Sequence, residues 1–216
     1  RLLGGSSKPI KAYAGGIALG WQEPALLAEE AQRHIATGYR ALKLRVGDTA
    51  AKDIARVRAV RQAVGEDIDI LVDANTAYSL DDVRKVMPED GHVQFVQPDL
   101  SKTGGVTEAM RIAAMASAQK LTVNPHTSAT AVNMATTLHY LCAVDNAGYF
   151  EGDVTSLNPF RDHLADQLPY QLDADGCVRP PEGIGTGQAC DNGHDATAQA
   201  QPRARQRPTA GTCALR

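Results

Sequence analysis

Apolar and polar positions along the chain spell short strands and amphipathic helices in turn. Ile10 to Ala18 reads as a first strand closing on Ala14-Gly15-Gly16. Pro24 opens a helix in which Leu26, Leu27, Ala31 and Ile35 recur near helical period, and Gly38 is placed to stop it. Tyr39 to Val46 alternates as a strand. Ala50 to Val64 repeats Ile54, Val57, Val60 and Val64 on one helical face. Ile68 to Val72 is a short apolar run of the kind buried on both sides in a parallel sheet. Ser79 begins a further helix to about Met87, with Asp82 at the capping-box position, and Pro88 to Gly91 breaks the rhythm. Val93 to His126 then reads as strand, Gly104-Gly105 turn, helix and strand. A helix follows over about Ala129 to Val144, then a short strand over Gly148 to Glu151 and a small hairpin over Leu164 to Arg179 turning at Asp173 to Gly176. Alternating strands and helices predict an α/β fold with a parallel sheet.

That prediction places polar residues. Parallel strands joined by helices make right-handed crossovers, so Asp99 and His126 fall at the C-terminal ends of neighbouring strands, the edge that carries chemistry in parallel α/β folds. An Asp beside a His fixes the imidazole tautomer and raises its pKa, giving a poised acid/base. A capped turn and a satisfied core histidine account for the same spacing. Asp73 ends the third strand and Glu151 the last. Lys43 and Arg45 share one face of the second strand. Turned inward they are costly to bury without an anion; on an edge they are simply solvated.

Composition narrows the field. The chain has 216 residues, 43% hydrophobic and 22% charged, which suits one globular domain. A net charge of −3 gives no electrostatic case for nucleic acid or an anionic membrane. Cys142, Cys177, Cys190 and Cys213 form no CxxC pair or zinc spacing, which suits cytosolic thiols. No apolar run is long enough to span a bilayer and no signal peptide opens the chain, so the expected compartment is the cytoplasm. Residues 1 to 9 read as a linker. From about Gly185 large apolar residues nearly vanish, predicting a barrel-type domain over 1–184 and a disordered tail over 185–216.

Five pieces together resemble the enolase superfamily in its mandelate racemase branch: ALKLRVG, ILVDANTAYS, VQPDLSKTGGVTEAMRIAAMA, TVNPH and YFEGD, in that order from about Ala12 to Pro159. The resemblance implies a modified (β/α) TIM-like barrel with strand-end catalytic groups. Its chemistry is Mg2+-assisted removal of the proton α to a carboxylate. Asp73 matches the first metal ligand, and Asn75 a residue reaching the substrate near its hydroxyl. Lys43-Leu44-Arg45 matches the Lys-x-Lys or Lys-x-Arg pair. Because arginine stays protonated, Arg45 is a poor base and a better carboxylate clamp. Glu151 matches an acid that hydrogen-bonds a substrate carboxylate oxygen, which requires it to hold or share a proton. The place where muconate-cycloisomerase-like members carry a Lys holds Asp99, so His126 becomes the proton-transfer residue of the racemase and dehydratase branch, with Lys102 facing solvent. The implied reaction is dehydration of an acid sugar to a 2-keto-3-deoxy acid. A 2-hydroxy-acid racemase or epimerase is one alternative, and an inactive fragment that only binds or scaffolds is another. The partners implied are a small-molecule carboxylate and, for the full-length form, other copies of itself as a homo-oligomer.

The family follows the Asp73 strand with Glu-Glu-Pro-like and Gly-Glu-Asn-like segments that complete the metal site, and neither occurs here. Pro88 to Gly91 stands where two β-α units are expected, and most of the N-terminal cap has no counterpart. A barrel takes roughly 250 residues. The expectation is therefore an incomplete barrel with an internal deletion near 88–91.

Overall fold

A computed structural model describes residues 4–16, 18–75, 77, 94–127, 130–162, 168–183 and 185–187. The Ser79 helix, the Pro88 to Gly91 junction and nearly all of the expected tail lie outside the described residues.

Strand β1 spans Ile10–Gly15, helix α1 Pro24–Ala36, β2 Ala41–Arg45, α2 Ala50–Val64 and β3 Asp69–Asp73. After the undescribed stretch come β4 (Phe95–Val96), α3 (Gly105–Ala118), β5 (Thr122–Val123), α4 (Ala131–Ala143), β6 (Phe150–Asp153), a short α5 (Pro159–Asp162) and β7 (Cys177–Val178). Local chemistry sets the boundaries. Pro24 takes the first turn of α1, where its missing N–H costs nothing. Thr49 caps α2 through Lys52 N–H, and Thr130 caps α4 through Asn133 N–H. Gly104 and Gly105 turn into α3 with φ of 103° and 80°, which only glycine adopts freely.

The sheet runs β3-β2-β1-β6 with every pair parallel, and β4 pairs with β5, also parallel. Val123 of β5 bridges Ala147, just ahead of β6. The last long strand therefore lies beside the first, as at the seam of a barrel, and the ring runs on through β5 to β4. β3 and β4 are its two ends among the described residues. This is an incomplete (β/α) barrel. The predicted hairpin takes another form: its turn is present, with Gly176 N–H donating to Asp173 O, but β7 pairs antiparallel with β1.

Ala12, Ala14, Leu42, Leu44 and Phe150 point outward beneath Leu27 and Ala31 of α1, Val60 of α2 and Met134 and Leu138 of α4. Two expectations are corrected here. β3 is not buried on both sides: Val72 is 57% exposed, because β3 ends the sheet and no described helix covers its outer face. Ile54 lies off the apolar face of α2; Asp53 and Arg56 are buried in that helix instead. Residues 4–9 do more than link. Ser6 N–H donates to Cys142 O, and the Lys8 ammonium to Val144 O, at the end of α4. Among the described residues no helix is long and apolar enough to cross a membrane.

Candidate active site

Inward positions of β1, β2, β3 and β6 converge near their C-terminal ends. Lys43 (3% exposed) is buried and faces inward, not solvated on an edge. Its Nζ lies 2.8 Å from Glu151 Oε1 and 3.3 Å from Asp73 Oδ2, and sits 5.3 Å from the centre of the Tyr13 ring. Two carboxylates and an aromatic face offset the desolvation that made a buried lysine costly. Glu151 is fully buried. Its Oε1 also accepts from Gly16 N–H at 3.2 Å, and its Oε2 accepts from Thr127 N–H at 3.0 Å. Gly16 permits that approach with φ of 91°; a Cβ there would sit 2.2 Å from Asp153 Oδ1. In each of these contacts Glu151 accepts, from Lys43 and from two backbone N–H groups.

The Asp99–His126 pair lies beyond Thr127. His126 Nδ1 is 2.8 Å from Asp99 Oδ2. The imidazole is part-exposed and the carboxylate nearly buried. Asp99 Oδ1 accepts from Ser101 N–H (2.8 Å) and Ser101 Oγ (2.5 Å), and more distantly from Asn133 Nδ2 (3.4 Å). Lys102, largely in solvent as expected, also reaches Asp99 Oδ2 at 2.9 Å. Burial pushes the Asp99 carboxyl up, but hydrogen bonds from Ser101, Lys102 and His126 outweigh it and hold the group well below the usual carboxylate range. Asp99 is thus a firm anion that fixes the histidine ring.

Asp73, Lys43, Glu151 and, through Thr127, His126 and Asp99 form one continuous chain of contacts. Asn75 stays at its margin, with its N–H on Asp73 Oδ1 at 2.9 Å. Arg45 stands apart from Lys43: its guanidinium lies 5.3 Å from the Trp21 ring centre. Three contributors were not singled out in the sequence. Tyr13 is fully buried, and Gln97 Nε2 donates to its hydroxyl at 3.3 Å. Burial, then the charges of Glu151 and Asp73, push that phenol well up. Its signal was available: one large aromatic among alanines and glycines near a strand end. Thr127 and Trp21 carry no such pattern.

Enolase superfamily members generally use Mg2+. The described residues do not fit that ion. Asp73 has Oδ1 on Asn75 N–H and Oδ2 on the Lys43 ammonium, and no group of three His, Cys, Asp or Glu side chains is placed to hold a metal among the described residues. One carboxylate beside a cation offsets little of magnesium's reluctance to shed water.

Residues 26–89 and 85–194 match the enolase C-terminal domain-like family. The chain belongs to that family. The two matched segments meet at 85–89. An enolase superfamily member from Polaromonas sp. JS666 has a similar structure, with a TM-score of 0.82 at 45% identity, over 89% of this chain and 64% of that one. A 3,6-anhydro-alpha-L-galactonate cycloisomerase of Streptomyces coelicolor is 26% identical over 242 positions, covering 88% of this chain and 63% of the relative. A D-gluconate dehydratase of Thermoproteus tenax is 29% identical over 249 positions, covering 87% and 49%. Both alignments are longer than the 216-residue chain, so these family relatives carry positions with no counterpart here. The chain spans about half to under two-thirds of their length. Epimerases and racemases also occur among the family's curated relatives.

Proposed function

We propose that the chain carries the proton-transfer apparatus of an acid-sugar dehydratase. The observation that carries this reading is the Asp99–His126 contact at 2.8 Å on a strand-end edge. With Nδ1 committed to Asp99, Nε2 is the ring atom through which His126 exchanges a proton. It removes the proton from the carbon next to the substrate carboxylate. That electron pair forms the C=C bond as the neighbouring C–O bond breaks. The departing hydroxyl takes the proton from His126 and leaves as water, and the resulting enol tautomerises to a 2-keto-3-deoxy acid. Asp99 balances the charge on the imidazolium in between. Lys43 and Arg45 supply positive potential where charge gathers on the substrate carboxylate. Glu151 and Asp73 hold Lys43 in place, and Asn75 reaches the substrate hydroxyl. The dehydratases among the relatives support the choice of reaction.

The test is incubation with D-gluconate and related aldonates in deuterated buffer, followed by proton NMR. A 2-keto-3-deoxy acid that is lost in His126→Asn supports the reading. Deuterium at the α-carbon without loss of hydroxyl replaces it with racemisation. Equal turnover after His126→Asn refutes the role of His126.

A second reading is a chain that binds the carboxylate without turning it over. The donor set around Asp73, incomplete among the described residues, favours it. It predicts binding of aldonates with neither deuterium uptake nor product.

A further inference from the structure

Lys43 and Arg45 leave the same face of β2, yet their surroundings differ. Two carboxylates hold Lys43. Among the described residues no carboxylate or carbonyl pairs with the Arg45 guanidinium; its contact is the Trp21 ring, 5.3 Å away. A guanidinium beside an aromatic face still has a planar N–H edge with which to take a carboxylate bidentately.

Trp21 is 53% exposed and is the one tryptophan of the chain. A lone exposed aromatic is ordinary on a loose loop, but this loop is fixed. Leu19 is fully buried with φ of 55°, a left-handed conformation costly for leucine. Its carbonyl accepts from Arg45 N–H at 2.9 Å, and its N–H donates to Glu30 Oε1 at 3.2 Å. The Gln22 amide donates to the other Glu30 oxygen. Arg56, 6% exposed, donates to Gln22 O at 3.0 Å and Trp21 O at 3.2 Å, and is itself held by Asp53 at 2.9 Å and Asp48 at 3.2 Å. Two charged side chains and a strained backbone thus present an indole that the core does not use. Strain of this kind gathers where a site must be rigid.

We propose that Trp21 is a specificity residue: with Arg45 it forms a subsite in which the guanidinium takes the carboxylate of an aldonate while the indole covers the adjoining C–H face of the sugar chain. The proposal rests on the acid-sugar reading above and names the part of the site that selects the ligand. Neutral sugars lack the anion Arg45 requires. Small carboxylates such as acetate lack the chain that Trp21 covers.

Because Trp21 is the sole tryptophan, its fluorescence reports the subsite directly. The expected result is a saturable change on titrating D-gluconate into the full chain, absent with D-glucose and weak with acetate. By calorimetry Trp21→Ala weakens gluconate roughly tenfold, and Arg45→Lys, which keeps the charge and loses the fork, does the same while leaving the urea midpoint unchanged. Trp21→Phe binds closer to the parent, and it replaces Trp21→Ala should the latter fail to fold. Gluconate binding seen by calorimetry with flat fluorescence, or undiminished in Arg45→Lys, overturns the subsite and leaves the dehydratase reading standing. Calorimetry that detects no aldonate at all overturns both.

Discussion

Replacing Asp99 by Asn removes one charge and changes almost no volume, so its cost reads the electrostatics of the site. The carboxylate accepts from His126 Nδ1, from Ser101 N–H and Oγ, and from the exposed Lys102. A hydrogen bond to a buried charge contributes about 1.5–3 kcal/mol, and an exposed pair such as Lys102 under about 1 kcal/mol. An asparagine keeps one acceptor and so retains part of the Ser101 interaction, but its amide turned to His126 sets donor against donor. The expected loss at neutral pH is about 2–4 kcal/mol. It also has a pH signature. The folded-state pKa of Asp99 lies below its unfolded value of about 3.9, so its stabilisation is complete above that value and is lost as pH falls through the folded one. Urea unfolding followed by circular dichroism at pH 7, 5 and 3 should show a parent–variant gap that is smaller at pH 3 than at pH 5. A gap below about 0.5 kcal/mol at pH 7, or one of equal size at pH 3, would refute the reasoning.

Other perturbations separate the remaining contacts. Lys43→Met leaves Glu151 and Asp73 facing each other without a cation and should cost about 3–5 kcal/mol in urea unfolding, against much less in a Glu151→Gln background; equal costs in both backgrounds would exclude the ion pair. Gly16→Ala drives a methyl into Asp153 at a φ of 91° and should lower stability by about 1–3 kcal/mol; an unchanged melting temperature would count against the turn. Val72→Thr, on the uncovered face of β3, should stay within about 0.5 kcal/mol of the parent, and a larger loss would mean that face is covered. Cys142 is buried and burial pushes its thiol up, so peptide mapping after iodoacetamide treatment at neutral pH should find it labelled only in urea; rapid labelling of the folded chain would contradict its packing.

The sequence made the strand ends legible because their neighbours are repetitive: apolar runs stop at Asp73, Asp99, His126 and Glu151, and strand alternation puts Lys43 and Arg45 on one side. It could not show that Lys43 and Arg45 part company, since that depends on Glu151, over a hundred residues away, and on Trp21 in another loop. Thr127 was invisible for a related reason: its N–H, not its side-chain pattern, joins Glu151 to the histidine segment. β3 departs from the buried strand its apolar run suggests because an apolar pentapeptide looks alike at a sheet's centre and its end, and burial there is decided by the neighbours that follow in space. Ile54 failed for lack of weight. Asp53 and Arg56 made better partners for the neighbouring loop than an isoleucine did.

The distribution of partners around the ring explains why the two halves of the site differ. The seam between β1 and β6 has four paired positions and brings Tyr13 beside Glu151 in register. Lys43, Gly16 and Thr127 all bond to Glu151, so four elements meet at one side chain that is fully enclosed. Asp99 of the Asp99–His126 pair is held by Ser101 and Asn133, from the turn and helix that follow its own strands. Asp73 is the exception. It lies on the end strand of the sheet, and its nearest cation is internal. Whatever chemistry needs several carboxylates there must draw them from beyond β3. The contacts that hold Asp99 against His126 come from Ser101 and Asn133 and not from those carboxylates. On the proposed reading aldonate binding is therefore separable from turnover, and a His126→Asn chain that still binds aldonates but forms no product would mark that division.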